Sequence, residues 1–501
     1  MVIDLKNYIK ENKNQIIYLI FITILTYFIK IFNYSVSIDS EVPINNPNAS
    51  DYPWISMGRW GVVLLEKIFH FGNVFNPFLS NVIMVIFLVL TVILLSYLID
   101  KITDNKIKYT ISILGSFVVT SPLLAEMMNF TLMNAEVSLG LFLLVLSVYL
   151  TYISIYECKK KFYLFSIIVL CLTMGIYQSF YPLYIGLISF VFTIEKLYNN
   201  KNDGKQDIKN ILSMVLVFII SYIFCYVISK TLQLILSIEP STYLTSQISW
   251  GKVELKSSIL NILRYIKMIV FPKNIGFFNY SYLIIIIISF IYAVKLLKDR
   301  KYIIIVTMLF SLFTPFLLEV ILGNTSAYRT QMNLPFIIGM FTTLYICMTD
   351  KAYNKKILYL FTIIICMIQI KFTNDLFYSD YNRYQEDVRL TQDIMNKIDN
   401  LDDISDRENT IILFVGIHIP KSTSVPIRGE TLGHSFYEWD EATDYQCNYR
   451  IYALSSTLGY KYILPTLEQI DEMKKIKETL EIYPKKDAIK IIDNIVVVRL
   501  S

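Results

Sequence analysis

Long apolar runs, separated by short polar breaks, dominate the chain. Eleven of them read as membrane-spanning helices, near 16–32, 78–99, 109–127, 132–156, 162–177, 180–197, 211–236, 282–297, 302–322, 331–348 and 357–371. About 20 mainly apolar residues cross a roughly 30 Å hydrocarbon core, and a helix satisfies its own backbone hydrogen bonds there. The stretch 162–197 could be one over-long helix or two short ones. Lys159, Lys160 and Lys161 precede it, and Lys196, Lys201 and Lys205 follow it. Both flanks therefore belong on one side, and a hairpin turning near YQSFYP is predicted. Beyond 371 the pattern changes. DYNRYQEDVRLTQDIMNKI has helical character, TIILFVGI reads as a strand, and AIKIIDNIVVVRL reads as a hairpin about Asp493-Asn494, although its turn lacks the favoured glycine. The expected architecture is a polytopic α-helical membrane domain, 1–371, followed by a small α/β domain, 372–501.

Charge assigns sides to this pattern. Lys101, Lys106 and Lys108, then Lys298, Arg300 and Lys301, then Lys351, Lys355 and Lys356 fall in alternate short loops. The positive-inside tendency puts those loops and the N-terminus in the cytoplasm. With eleven spans the C-terminal domain lies outside, together with the long loops 33–77 and 237–281. Lys6, Lys10 and Lys13 precede the first span and no small-residue cleavage site follows, so an uncleaved anchor is predicted. Lys30, Lys230 and Lys371 sit near span ends, where they can snorkel.

Composition agrees with a membrane location and narrows the chemistry. The 501 residues are 54% hydrophobic and only 17% charged, too apolar for an ordinary soluble domain. The net charge of +5 is dispersed and gives no nucleic-acid signal. Four of the six cysteines, Cys171, Cys225, Cys347 and Cys366, lie in apolar runs, so no disulfide framework is indicated. His70, His418 and His434 are too scattered for a metal site. No nucleotide-binding glycine-rich loop occurs.

Candidate chemistry clusters in the long loops. Asp39 and Glu41 follow the first span in NYSVSIDSEVPIN. If that stretch is extended, residues two apart share a face. The pair could then act as a general base on a hydroxyl nucleophile, hold a divalent cation, or be two solvated acids. In DYPWISMGRWGVVLLEKIF, Trp54 and Trp60 suggest a helix lying at the interface, and Arg59 suits a phosphate headgroup. Tyr177 and Gln178 in MGIYQSFYPLY could stack on and bond sugar hydroxyls, or form part of an aromatic belt. Arg329 is a cation in a short outer loop near Glu319, and phosphate binding would explain it. Arg264, Lys267 and Lys273 are further cationic candidates. Glu126 and Glu136 flank the second outer loop, where they shape an acceptor site or cap helix ends.

SIDSE, WISMGRWG, MGIYQS and GHSFYEWD (433–440), in that order over nearly the whole chain, resemble the GtrII-type glucosyltransferases of bacteria. The resemblance implies a GT-C type fold with its active site on the outer face. It also implies inverting transfer of a sugar, glucose by the family's name, from polyprenyl phosphate, usually undecaprenyl phosphate, to a surface polysaccharide such as O-antigen or a wall glycan. The catalytic base is then a carboxylate of the first outer loop, Asp39 or Glu41. The family's pattern has two adjacent acids; Ser40 separates them here, leaving open which is the base. Arg59, Arg329 and Arg264 would meet the donor phosphate, and Trp60, Tyr177, Gln178, Glu126 and Glu136 the sugar or acceptor. The partners implied are the lipid-linked sugar, the glycan, the bilayer, and a small flippase and donor synthase, with no nucleic acid. The competing readings are a lipid-linked glycan polymerase, which should carry more outer arginines, and a flippase or transporter, which should show internal repeats.

Overall fold

The computed structural model describes residues 2–46, 51–69, 76–199, 204–274, 276–401, 404, 406–421, 423–439 and 444–501. His70, Lys201 and Asp440, used above, lie outside the described residues. The chain forms two compact units, one of Met1–Phe28, Asp51–Met128 and Met133–Asn374, the other of Ile29–Ser50, Asn129–Leu132 and Asp375–Ser501.

The first unit is helical. Among the described residues eight helices are long and apolar enough to cross a membrane: Lys13–Phe32, Pro77–Ile102, Asn134–Tyr156, Phe180–Asn199, Gly204–Ile235, Ser281–Lys298, Tyr302–Leu322 and Ala352–Asp399. The run predicted as 109–127 is instead two helices, Thr110–Val118 and Pro122–Met128, bent by 64°. Proline at the start of the second half removes a ladder donor and turns the axis. Lys161–Met174 and Asn333–Met348 are shorter apolar helices. Every predicted apolar run is thus helical, and the hairpin within 162–197 is present, turning between Met174 and Phe180.

Pro77–Ile102, Asn134–Ile155 and Lys161–Met174 pack side by side. The first begins with Asn76, whose side chain accepts from Leu79 N at 3.2 Å, and with Pro77 where no helical donor is needed. Gly140 sets the packing distance on Asn134–Ile155, since a Cβ there would stand 2.5 Å from the Phe180 ring.

The second unit holds a three-stranded sheet of β1 (Ile411–Val415), β2 (Ile489–Ile492) and β3 (Ile495–Arg499) in the order β1-β3-β2. β1 runs parallel to β3, and β2 antiparallel to it. Leu413, Val415, Ile470, Met473, Leu480, Ile495 and Val497 form its core. The β2–β3 hairpin turns at Asp493 (φ 49°) and Asn494 (φ 59°), a left-handed pair that short polar side chains tolerate where most residues would not. The hairpin therefore forms without glycine.

The predicted eleventh span and the first tail helix are one continuous helix, Ala352–Asp399, about 70 Å long at 1.5 Å per residue. Its second half carries Asp380, Arg383 and Asp387, which share a face. Arg383 is 1% exposed and bonds Asp380 at 2.7 Å, Asp387 at 3.5 Å and the Val36 carbonyl at 3.3 Å. The same carboxylates accept from Gly433 N at 3.2 Å and Phe436 N at 3.1 Å, and Arg383 stacks over the Phe436 ring. A charged helical stripe thereby anchors both the segment after the first span and the GHSFYEWD loop. Lys30 does not snorkel. Its ammonium is buried, bonding Thr131 Oγ1 at 2.6 Å and both oxygens of Asn129 at 3.2 Å.

Candidate active site

Asp39 and Glu41 do not lie on an extended stretch. Ser37 to Ser40 closes a turn, with Ser40 N donating to Ser37 O at 3.2 Å and the two serine hydroxyls 3.1 Å apart. Thr131 N donates to Ser37 Oγ at 3.1 Å and fixes the turn from the other strand of chain. Asp39 occupies the left-handed region at φ 71° and is half-buried. Glu41 opens a short helix, Glu41–Asn45, whose first turn tolerates Pro43. The pair is separated by this change of backbone direction, so the shared face expected of an extended strand is absent.

Glu41 is 4% exposed, and its Oε1 accepts from Arg450 Nε at 2.8 Å. Its Oε2 is buried without a hydrogen-bond partner. Burial pushes the Glu41 carboxyl up to about 7, against the pull of the Arg450 guanidinium, and the Asp39 charge adds to the rise. Arg450 also donates to Trp439 O at 3.3 Å, and Asn45 donates to Tyr449 O at 2.9 Å. Helix Asp444–Thr457 thus packs on helix Glu41–Asn45. The cation paired with Glu41 is the Arg450 guanidinium, bonded at Oε1. Among the described residues no group of three or more His, Cys, Asp or Glu side chains could hold a metal ion.

In the first unit, the WISMGRWG and MGIYQS stretches lock together. Gly61 N donates to Gly175 O at 2.8 Å, and a Cβ on Gly175 would stand 2.5 Å from the Trp60 indole. That backbone approach delivers Arg59 to Gln178. Arg59 Nε donates to Gln178 Oε1 at 3.0 Å, and Gln178 Nε2 donates to Met57 O at 3.0 Å. The guanidinium lies 4.8 Å from the Tyr177 ring centroid and 5.7 Å from that of Trp54. Arg59, Trp60, Tyr177 and Gln178 are therefore brought together, in an arrangement that holds a planar cation between aromatic faces.

Glu136 is fully buried and faces Glu66, which sequence reasoning did not single out. Burial, then Glu136 and Asp51, push Glu66 up to about 8. Glu126 is fully buried on helix Pro122–Met128, which packs against the 3-10 turn Tyr328–Thr330 bearing Arg329. Next to that turn Glu319, also fully buried, accepts from Gln331 Nε2 at 2.8 Å and from Ser326 Oγ. Arg264 lies on the exposed face of helix Leu255–Val270, opposite the buried Ile262, Tyr265 and Ile269, with Asn261 as its neighbour.

GHSFYEWD is a brace. Glu438 accepts from both Arg428 Nη1 and the backbone of Ser435, and lies 2.9 Å from His434 Nδ1. Against the opposing effect of burial, His434 and Arg428 hold the Glu438 carboxyl below its ordinary range. Arg450, Arg383 and Glu66 were missed from sequence. The spacing of Asp380, Arg383 and Asp387 was a usable signal; nothing local marks Arg450.

No curated protein matches the chain. A family model described as Glucosyl transferase GtrII matches residues 27–347, a stretch that includes Asp39, Glu41, Arg59, Tyr177, Gln178 and Arg329 and stops short of Arg450.

Proposed function

The chain belongs to the GtrII glucosyltransferase family, and from that premise we propose an inverting membrane glycosyltransferase of GT-C type. It moves a sugar, glucose, from polyprenyl phosphate to a cell-surface polysaccharide on the outer face of the membrane. The N-terminus is cytoplasmic, eleven spans follow, and the C-terminal domain is outside. The observation that carries the reading is the family match over the Asp39–Glu41 segment, where one carboxylate is anchored by an arginine and the other is half-buried.

One of the two acids takes the proton of an acceptor hydroxyl as its oxygen bonds to the anomeric carbon. The bond from that carbon to the phosphate oxygen breaks, and polyprenyl phosphate leaves with the electron pair. Attack opposite the leaving group inverts the centre. Arg59, with its orientation fixed by Gln178 and two aromatic rings, suits the departing phosphate; Arg329 and Arg264 are assigned to the same charge. Trp60, Tyr177 and Gln178 meet the sugar, and Glu126 and Glu136 shape the acceptor side. No sugar nucleotide is needed, because the donor is already a membrane lipid.

The test is transfer in membranes supplied with polyprenyl-phosphate glucose, followed by mass and linkage analysis of the surface glycan. One added hexose per acceptor unit is expected. Full transfer by both Asp39→Asn and Glu41→Gln would overturn the assignment of the base, and gene deletion that shortens the glycan chains would favour a polymerase.

A further inference from the structure

Arg450 is a residue that the acid-bearing loop cannot itself supply. It lies 409 positions from Glu41 and beyond the family match. Its side chain is 4% exposed. Nε is committed to Glu41 and Nη1 to the Trp439 carbonyl, which closes the GHSFYEWD brace. A planar fork held on two sides is a geometric device that an ammonium reproduces in charge alone.

The two acids differ in what they can reach. A general base must come within roughly 2.6–3.2 Å of the proton it takes. Glu41 is enclosed and ion-paired. Asp39, two residues earlier, is half-buried in a left-handed turn that aspartate tolerates better than most L-residues but still at a cost. That turn needs holding. Ser37 and Ser40 close it, Thr131 pins one side, and the other side runs straight into the helix that Glu41 begins. The charged groups acting on Glu41 are Arg450 from helix Asp444–Thr457 and Asp39 from its own turn.

We infer that Arg450 is a positioning residue of the transferase site: by locking Glu41 it holds the Ser37–Ser40 turn so that Asp39 presents the base. This rests on the glycosyltransferase reading above. Glu41 then works through geometry, and helix Asp444–Thr457 contributes to the reaction without touching the sugar. The GHSFYEWD brace acts one step further back, by setting the carbonyl that orients Arg450.

The full-length protein in membranes, given polyprenyl-phosphate glucose and envelope glycan extracted from a deletion strain, tests this. Arg450→Gln should lower kcat 100-fold or more with the donor KM within twofold, and Arg450→Lys should recover at least tenfold of that loss. Asp39→Asn should fall to background. Because Arg450→Gln leaves Glu41 buried and unpaired, Glu41→Leu with Arg450→Met supplies an apolar replacement of similar volume; it should fold, bind donor and remain slow. An active wild type with an unimpaired Arg450→Gln, a loss confined to KM, or a fast Glu41→Leu/Arg450→Met enzyme overturns the inference alone. A wild type inactive on polyprenyl-phosphate glucose overturns the transferase reading and this inference with it.

Discussion

Arg59 and Gln178, 119 positions apart, are joined by a 3.0 Å hydrogen bond from Nε, with the guanidinium set over Tyr177. A planar cation held this way keeps its orientation when a phosphate arrives. Arg59→Lys retains the charge and loses the fork. It is expected to reduce kcat/KM for the lipid-linked donor by about 10–100-fold, the equivalent of roughly 1.4–2.7 kcal/mol. Gln178→Ala should cost less than Arg59→Lys, since the aromatic faces still hold the guanidinium. Steady-state kinetics on both variants decide it, and equal rates for Arg59→Lys and wild type would refute the assignment.

Gly175→Ala tests how that contact is built. The added methyl meets the Trp60 indole at 2.5 Å, closer than real contacts allow. Overpacking of this kind costs about 1–3 kcal/mol. The expected result is a lower melting temperature together with weaker donor binding. A variant that melts and binds like wild type would show that the two stretches are not packed this closely.

Glu66 should impose a pH dependence on stability. Its carboxyl is raised to about 8 from an ordinary 4.5, first by burial and then by Glu136 and Asp51. A carboxyl raised on folding binds its proton more tightly in the native state. Stability is therefore full below about 4.5 and declines as pH climbs towards 8. Glu66→Gln cannot ionise, so it should match wild type near pH 5 and melt higher at pH 8. Thermal unfolding in detergent at the two pH values measures this, and parallel pH curves for the two proteins would refute it.

Arg383→Met should destabilise the second unit by about 3–5 kcal/mol, because it strands two buried carboxylates. Asp380 and Asp387 would lose their cation, and the Val36 carbonyl its donors. Limited proteolysis after residue 400 should accelerate, and a variant with wild-type protease resistance would count against the buried cluster.

Asn494→Gly offers a gain. Asn494 turns at φ 59°, where glycine avoids a strain of roughly 1–2 kcal/mol that asparagine relieves only in part. A rise in stability of a few tenths to about 1 kcal/mol is expected from denaturant unfolding of the full chain. A fall would mean that the asparagine side chain holds the turn in a way its backbone angle does not reveal.

Much of the helical unit was legible in the sequence because hydrocarbon leaves the backbone few choices. The predicted apolar runs are helical, although 109–127 breaks into two helices, and lysines alone split 162–197 correctly. Local patterning also found β1 and the Asp493-Asn494 hairpin. It failed where a local element answers to distant chain. SIDSE looks extended, yet Ser37, Thr131 and Arg450 make it a turn running into a helix. Lys30 looks like a snorkelling lysine until Asn129 and Thr131 are placed beside it. The candidate residues of WISMGRWG and MGIYQS were recognisable singly as aromatic and cationic groups. Their meeting was not, because it depends on two glycines, Gly61 and Gly175, whose contribution is the absence of a side chain. Polarity puts the tail boundary at 371; the second compact unit joins Asp375–Ser501 to Ile29–Ser50 and Asn129–Leu132. Polarity along the chain carries no record of which early segments return to a late one.

The 409 positions between Glu41 and Arg450 also have a meaning in time. A ribosome adding about 5–20 residues each second needs roughly 20–80 s to travel that far. Throughout that interval the nascent chain has made Glu41 but not its cation. The acid segment can settle only when synthesis is nearly finished, so a chain released early carries the membrane helices and an unassembled first loop.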